Sequence, residues 1–149
     1  KDGVKIAQKN NLPKQIIDFI ETHHGTSVPK YFYISWKNAN PGKEINEELF
    51  HYPGPNPFSK ETAIMMMADA VEAASRSLPE YSEESIRNLV ETLIDSQVAE
   101  GYFKLAPITF RDIAMIKEVF QQKLQTIYHT RIAYPALENP APSKPESVE

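Results

Sequence analysis

The chain has 149 residues and no cysteine. Disulfide frameworks, thiolate zinc sites and cysteine nucleophiles are therefore excluded, and the composition suits a reducing compartment. Glycine is scarce, at 5 positions, which leaves no glycine-rich loop to cradle a phosphate. No apolar run approaches the roughly 18 residues of a membrane span, and no signal-peptide pattern opens the chain. An excess of positive charge is missing too. Lys and Arg total 16 against 20 Asp and Glu, a formal charge of -4, which speaks against broad binding to a nucleic-acid polymer or an anionic membrane. Any phosphate has to be held locally.

What is present is a hydrophobic fraction of 41%, enough for one domain with a core. Residues 2 to 9 read as the end of a helix already under way, which suggests a fragment of a larger protein, and Asn10-Asn11 reads as a break. Pro13 suits the first turn of a new helix. Ile16, Ile17 and Ile20 carry its apolar face, His23 and His24 close it on or beside the buried side, and Gly25 fits a left-handed cap. Residues 28–37, rich in Tyr31, Phe32, Tyr33 and Trp36, are read as helix. Residues 38–58, broken by Pro41, Gly42, Pro53, Gly54, Pro55 and Pro57, are read as a long loop with a stiff end, a kind that is often functional.

Ser59 is the expected N-cap of a helix to about Leu78, with Ile64, Met67, Ala68, Val71, Ala74 and Leu78 as its core stripe. Met65, Asp69, Glu72 and Arg76 fall on another face, three or four residues apart. A further helix is expected from Ser82 to about Glu100, with Ile86, Leu89, Val90, Leu93, Ile94 and Gln97 inward and Gly101 as its stop. Residues 102–107 read as extended. Thr109 and Asp112 form a capping pair for a last helix to about Thr130, apolar at Phe110, Ile113, Ile116, Phe120, Leu124 and Ile127. The expected organisation is an all-α domain over residues 1–134 and a Pro-rich polar tail over 135–149.

Chemistry concentrates in His23, His24 and Asp69. Asp69 lies in the run Ile64-Met65-Met66-Met67-Ala68-Asp69-Ala70-Val71, where a buried carboxylate needs a cation or hydrogen bonds. Two imidazoles and a carboxylate are ligand types for a divalent cation. The plainer alternatives are surface or core histidines, and an Asp69 paired with Arg76. Arg76 suits either a phosphoryl oxygen or a salt bridge to Glu72, the safer reading being the salt bridge. Met65, Met66 and Met67 read as core filling, His51 and His129 as structural. The aromatic group Tyr31, Phe32, Tyr33 and Trp36 either stacks a nucleobase or packs under the loop.

Several stretches together carry a family likeness. They are Glu21-Thr22-His23-His24-Gly25-Thr26, Tyr52-Pro53-Gly54-Pro55-Asn56-Pro57, Ser59-Lys60-Glu61, Ala68-Asp69-Ala70-Val71-Glu72-Ala73-Ala74-Ser75-Arg76-Ser77-Leu78 and Ile127-Tyr128-His129-Thr130-Arg131-Ile132-Ala133-Tyr134-Pro135. In order and spacing they resemble the cytoplasmic HD domain of the seven-transmembrane HD hydrolases, the PgpH-type cyclic di-AMP phosphodiesterases. The resemblance implies an HD-domain-like helical bundle, incomplete at its N-terminus. It implies two divalent ions, iron or manganese, that activate water against a phosphodiester, and hydrolysis of cyclic di-AMP to the linear dinucleotide. Metal ligation is carried onto His23, His24 and Asp69, and a grip on a substrate phosphate onto Arg76.

The chain contains no His-Asp dipeptide, so the family's eponymous pair and an earlier histidine ligand are expected ahead of Lys1. No Gly-Tyr-Pro tripeptide follows His24, which weakens a cyclic di-GMP reading. The fragment alone is expected to bind metal weakly or not at all and to be inactive. The full-length protein is expected at the cytoplasmic face of the cell membrane, attached only through the region missing here. Two rivals remain open: a catalytically inactive helical nucleotide-binding module, and a bundle that forms a homodimer through apolar surface.

Overall fold

Short polar side chains set the helix starts. In the computed structural model, which describes residues 2–44 and 46–129, Ser59 accepts from the backbone N–H of Thr62 at 3.1 Å. The Thr62 hydroxyl returns the favour to the Ser59 N–H at 3.0 Å, closing a capping box. Ser82 caps the next helix through the Ser85 N–H, and acidic Glu83 and Glu84 fill its first turn, where the helix dipole favours them. Thr109 and Asp112 cap the last helix reciprocally, at 2.8 and 3.1 Å.

Six α-helices and one 3-10 turn follow in order among the described residues: α1 (Asp2–Lys9), α2 (Lys14–Thr22), α3 (Lys30–Ala39), the 3-10 turn Glu47–Phe50, α4 (Lys60–Ser75), α5 (Glu83–Ala99) and α6 (Phe110–His129). The all-α expectation is met. No helix among these residues is long and apolar enough to cross a membrane. The side chains of Tyr31, Phe32 and His129 lie outside the described residues. So do the motif from Thr130 to Pro135 and the tail over 135–149.

The core is a three-helix layer. Helix α5 packs on both α4 and α6, and α4 touches α6 and, on its other side, α2. Ile86, Val90 and Ile94 of α5 are fully buried between Ala63, Met66, Met67 and Val71 of α4 and Ile113, Ile116 and Leu124 of α6. Burying side chains of this size contributes about 1.5–3 kcal/mol each before entropy is counted. The two outer helices are also pinned to each other at both ends. Lys60 reaches Asp112 at 2.8 Å, and Ser75 meets the Tyr128 hydroxyl at 2.9 Å.

Packing on two sides explains the departures from the pattern in the sequence. The buried arc of α4 is Thr62, Ala63, Met66, Met67, Val71 and Ser75, and Ile64, expected inside, is 38% exposed. Helix α4 stops at Ser75 instead of near Leu78. Phe110, in the first turn of α6, and Ile127, in its last, are 84% and 48% exposed, against the expectation of an inward side. Residues 102–107 are turns rather than extended chain. Lys104 and Ala106 donate to the carbonyls of Gly101 and Phe103, and Tyr102 and Phe103 are buried against the core.

Candidate metal and phosphate site

Helix α2 delivers the histidine pair, but its last helical residue is Thr22, two residues before His24. Thr22 is fully buried, and its hydroxyl donates to the Asp18 carbonyl at 2.7 Å. His23 is the C-cap, its N–H still bonded to the Phe19 carbonyl. The Nδ1 of His23 meets that same carbonyl at 3.0 Å. A carbonyl only accepts, so Nδ1 carries the proton, and in the neutral ring Nε2 keeps its lone pair for a cation. Gly25 then reverses the chain at φ +54°, as expected for its place after the helix.

A strap from the proline-rich loop lies across this turn. Tyr52 donates its N–H to the Ser27 carbonyl at 3.0 Å, and His51 Nδ1 donates to the Thr26 carbonyl at 2.7 Å. Asn56 Oδ1 accepts from both the N–H and the hydroxyl of Thr26, at 2.8 and 3.0 Å. The rings of Tyr52 and His24 stack at 4.3 Å with 23° between planes, while His23 and His24 stand 4.0 Å apart, tilted by 43°.

The carboxylate comes from α4. Asp69 Oδ2 stands 3.5 Å from His24 Nδ1, with the two side chains 44% and 40% exposed. The expectation of a buried Asp69 is thus corrected. The α4 arc facing α2 and α5 is taken by Met66, Met67 and Val71, which leaves Asp69 at the rim. Burial lowers the His24 pKa, the neighbouring His23 lowers it further, and Asp69 pulls the other way. The net shift is downward, toward the neutral imidazole that metals bind.

Arg76 makes the plainer of the two bonds weighed for it. Its Nε and Nη2 donate to Glu72 at 2.9 and 2.7 Å, and this carboxylate raises its pKa. Both side chains are more than half exposed, so the pair adds little stability. Beside the histidines opens a cleft of about 690 Å³, walled by Val4 and Lys5 of α1, Ile20 and Glu21 of α2, both histidines and the strap from Tyr52 to Pro55. Asp69 and Arg76 are not in its wall.

The donors fit a divalent cation in kind: a ring with a free Nε2, a second ring biased to the neutral form, and a carboxylate beside it. They fall short in number. No group of three or more His, Cys, Asp or Glu side chains arranged to hold a metal ion occurs among the described residues. Reading by residue type singled out His23, His24 and Asp69 but gave no part to Tyr52 or Asn56. The signals for these two were the density of proline around them and the family likeness of the stretch from Tyr52 to Pro57, neither of which gave them a role.

No family model matches the chain. It is 41% identical over 134 residues to the cyclic-di-AMP phosphodiesterase PgpH of Bacillus subtilis strain 168, covering 90% of this chain and 19% of that protein. It is 39% identical over 135 residues to the cyclic-di-AMP phosphodiesterase PgpH of Listeria monocytogenes, covering 91% and 18%. The chain therefore spans about a fifth of the length of these relatives. It superposes on the L. monocytogenes PgpH HD domain in complex with cyclic-di-AMP with a TM-score of 0.80 at 38% identity, covering 89% of this chain and 62% of that one. A second structure of that domain gives 0.77 at 36% identity, covering 86% and 59%.

Proposed function

We propose that the chain belongs to the HD-domain family of the PgpH phosphodiesterases and that its residues 1–134 are the C-terminal part of a metal-dependent cyclic dinucleotide phosphodiesterase domain. Cyclic di-AMP is the substrate and the linear dinucleotide the product. Residues 135–149 are a polar tail. The observation that carries this reading is the meeting of His23, His24 and Asp69 at one rim, in a fold that matches an HD domain solved with cyclic-di-AMP.

In the complete domain two divalent ions, iron or manganese, supply Lewis-acid activation of the phosphodiester and of water. His23 offers Nε2, its other nitrogen being fixed by the Phe19 carbonyl. His24 contributes a ring whose pKa burial lowers, and Asp69 a half-exposed carboxylate that needs little desolvation to bind. Arg76 reaches a substrate phosphate by exchanging one of its Glu72 bonds, a small cost for a pair this exposed. The overall reaction adds one water across one phosphodiester P–O bond, leaving a phosphomonoester and a free hydroxyl. The remaining ligands come from residues ahead of Lys1, in a protein held at the cytoplasmic face of the membrane.

The test is turnover of cyclic di-AMP by the full-length protein loaded with Mn²⁺. His23→Ala and Asp69→Ala should each lower it by at least about 100-fold, in line with the loss of a group that acts in the transition state. The isolated chain should bind Mn²⁺ weakly and turn over almost nothing. Full turnover by either variant refutes the assignment. Substrate binding without any turnover in the full-length wild type favours the inactive nucleotide-binding module instead.

A further inference from the structure

We infer that Tyr52 is a positioning residue for His24, setting the plane of that imidazole for its ligand role; the inference rests on the function proposed above. The two histidines are held by different means. The His23 ring is anchored through Nδ1 on the Phe19 carbonyl at 3.0 Å. The nearest carboxylate oxygen to the His24 ring is that of Asp69, at 3.5 Å, too long to fix its orientation by hydrogen bonding. What lies flat against His24 is the Tyr52 ring, at 4.3 Å and 23°.

Tyr52 is able to set that plane because its own backbone is fixed to the turn that carries His24. The Tyr52 N–H is bonded to the Ser27 carbonyl, His51 is bonded to the Thr26 carbonyl, and Asn56 holds the Thr26 N–H and hydroxyl. Ligand and support therefore share one frame, and a movement of the turn carries both rings together. Tyr52 also forms part of the cleft wall beside the two histidines, so the stack faces the side from which a ligand enters. Groups that orient a metal ligand without touching the metal typically change metal affinity 10–100-fold when removed.

The experiment measures Mn²⁺ affinity by titration calorimetry and kcat and KM for cyclic di-AMP, all in the full-length protein. Tyr52→Leu keeps apolar bulk but no flat ring. It should weaken Mn²⁺ binding about 10-fold or more and lower kcat, with KM within about 2-fold of wild type. Tyr52→Phe, which keeps the ring and loses only the hydroxyl, should match wild type in both. Wild-type Mn²⁺ affinity in the Leu variant overturns the inference, and so does a Phe variant as impaired as the Leu variant. Should Tyr52→Leu not fold, Asn56→Ala loosens the strap without touching either ring, and unchanged Mn²⁺ affinity there overturns the inference equally. His24→Ala separates the two levels. If it binds Mn²⁺ like wild type, the ligand assignment has failed; if it loses Mn²⁺ while Tyr52→Leu does not, only the role of Tyr52 has failed.

Discussion

Replacing Gly25 by alanine should cost far more than its added methyl group suggests, and the excess measures how tightly the strap holds the histidine turn. Gly25 has φ +54°, where an L-residue pays roughly 1–2 kcal/mol, partly offset by the smaller entropy of its unfolded chain, about 0.4–1 kcal/mol. The larger effect is steric. A Cβ at Gly25 would lie 2.6 Å from Asn56 Oδ1 and 3.3 Å from Met66 Cε. The methionine tip swings away cheaply. Asn56 does not, because its Oδ1 is the acceptor for both Thr26 donors. Displacing it leaves a part-buried N–H without its partner, a loss of about 1–3 kcal/mol. The whole substitution should therefore destabilise by about 2–4 kcal/mol in urea unfolding followed by helical circular dichroism. Gly42→Ala is the control. Its φ is +80°, but a Cβ there meets nothing within 4 Å, so only the small strain remains. In an Asn56→Ala background the Gly25→Ala penalty should fall by about 1–3 kcal/mol, because the clash and the lost bonds have already been removed. Equal costs at Gly25 and Gly42, or strict additivity of Gly25→Ala with Asn56→Ala, would refute this account of the turn.

Two further outcomes follow from the packing and the caps. Asp112 is held near pKa 2, from an ordinary 3.8, first by the Lys60 ammonium and then by the N–H and hydroxyl of Thr109. Its contribution is present above about pH 4 and fades as pH falls toward 2, so Asp112→Asn should flatten the acid limb of the stability curve; parallel limbs count against the bond. Ile94, fully buried between α4 and α6, should lose about 2–5 kcal/mol on replacement by alanine, and a urea-measured loss below about 1 kcal/mol would mean that this layer is not the core.

Helix ends were legible because their causes are local. Ser59, Ser82 and the Thr109–Asp112 pair cap the helices they were expected to cap, and Gly25 and Gly101 take the positive φ that ends one. The facing of α4 was not legible, because periodicity assumes one buried side and this helix is gripped by α2 as well as by α5 and α6. Met66, part of the core, also approaches the histidine turn at Gly25, a contact with residues far earlier in the chain. The segment 102–107 failed for a related reason. In an extended chain the neighbouring side chains of Tyr102 and Phe103 point to opposite sides, and burying both against the core requires the backbone to turn.

The site was legible in residue type and not in its physical cause. Singling out Asp69 for the cost of burying a carboxylate was unsound, since its side chain is 44% exposed and desolvation is slight. A half-exposed pair at 3.5 Å also contributes almost nothing to folding. Stability therefore gives no reason for His24 and Asp69 to face each other. Their apposition is imposed by groups that have such a reason: buried Thr22 at the end of α2, Met66 against the Gly25 turn, and the Asn56 bonds to Thr26. Side chains that are costly to move thus hold in register two whose contact with each other is worth little. That separation of cost from contact lets a ligand engage His24 and Asp69 without first breaking anything the fold depends on.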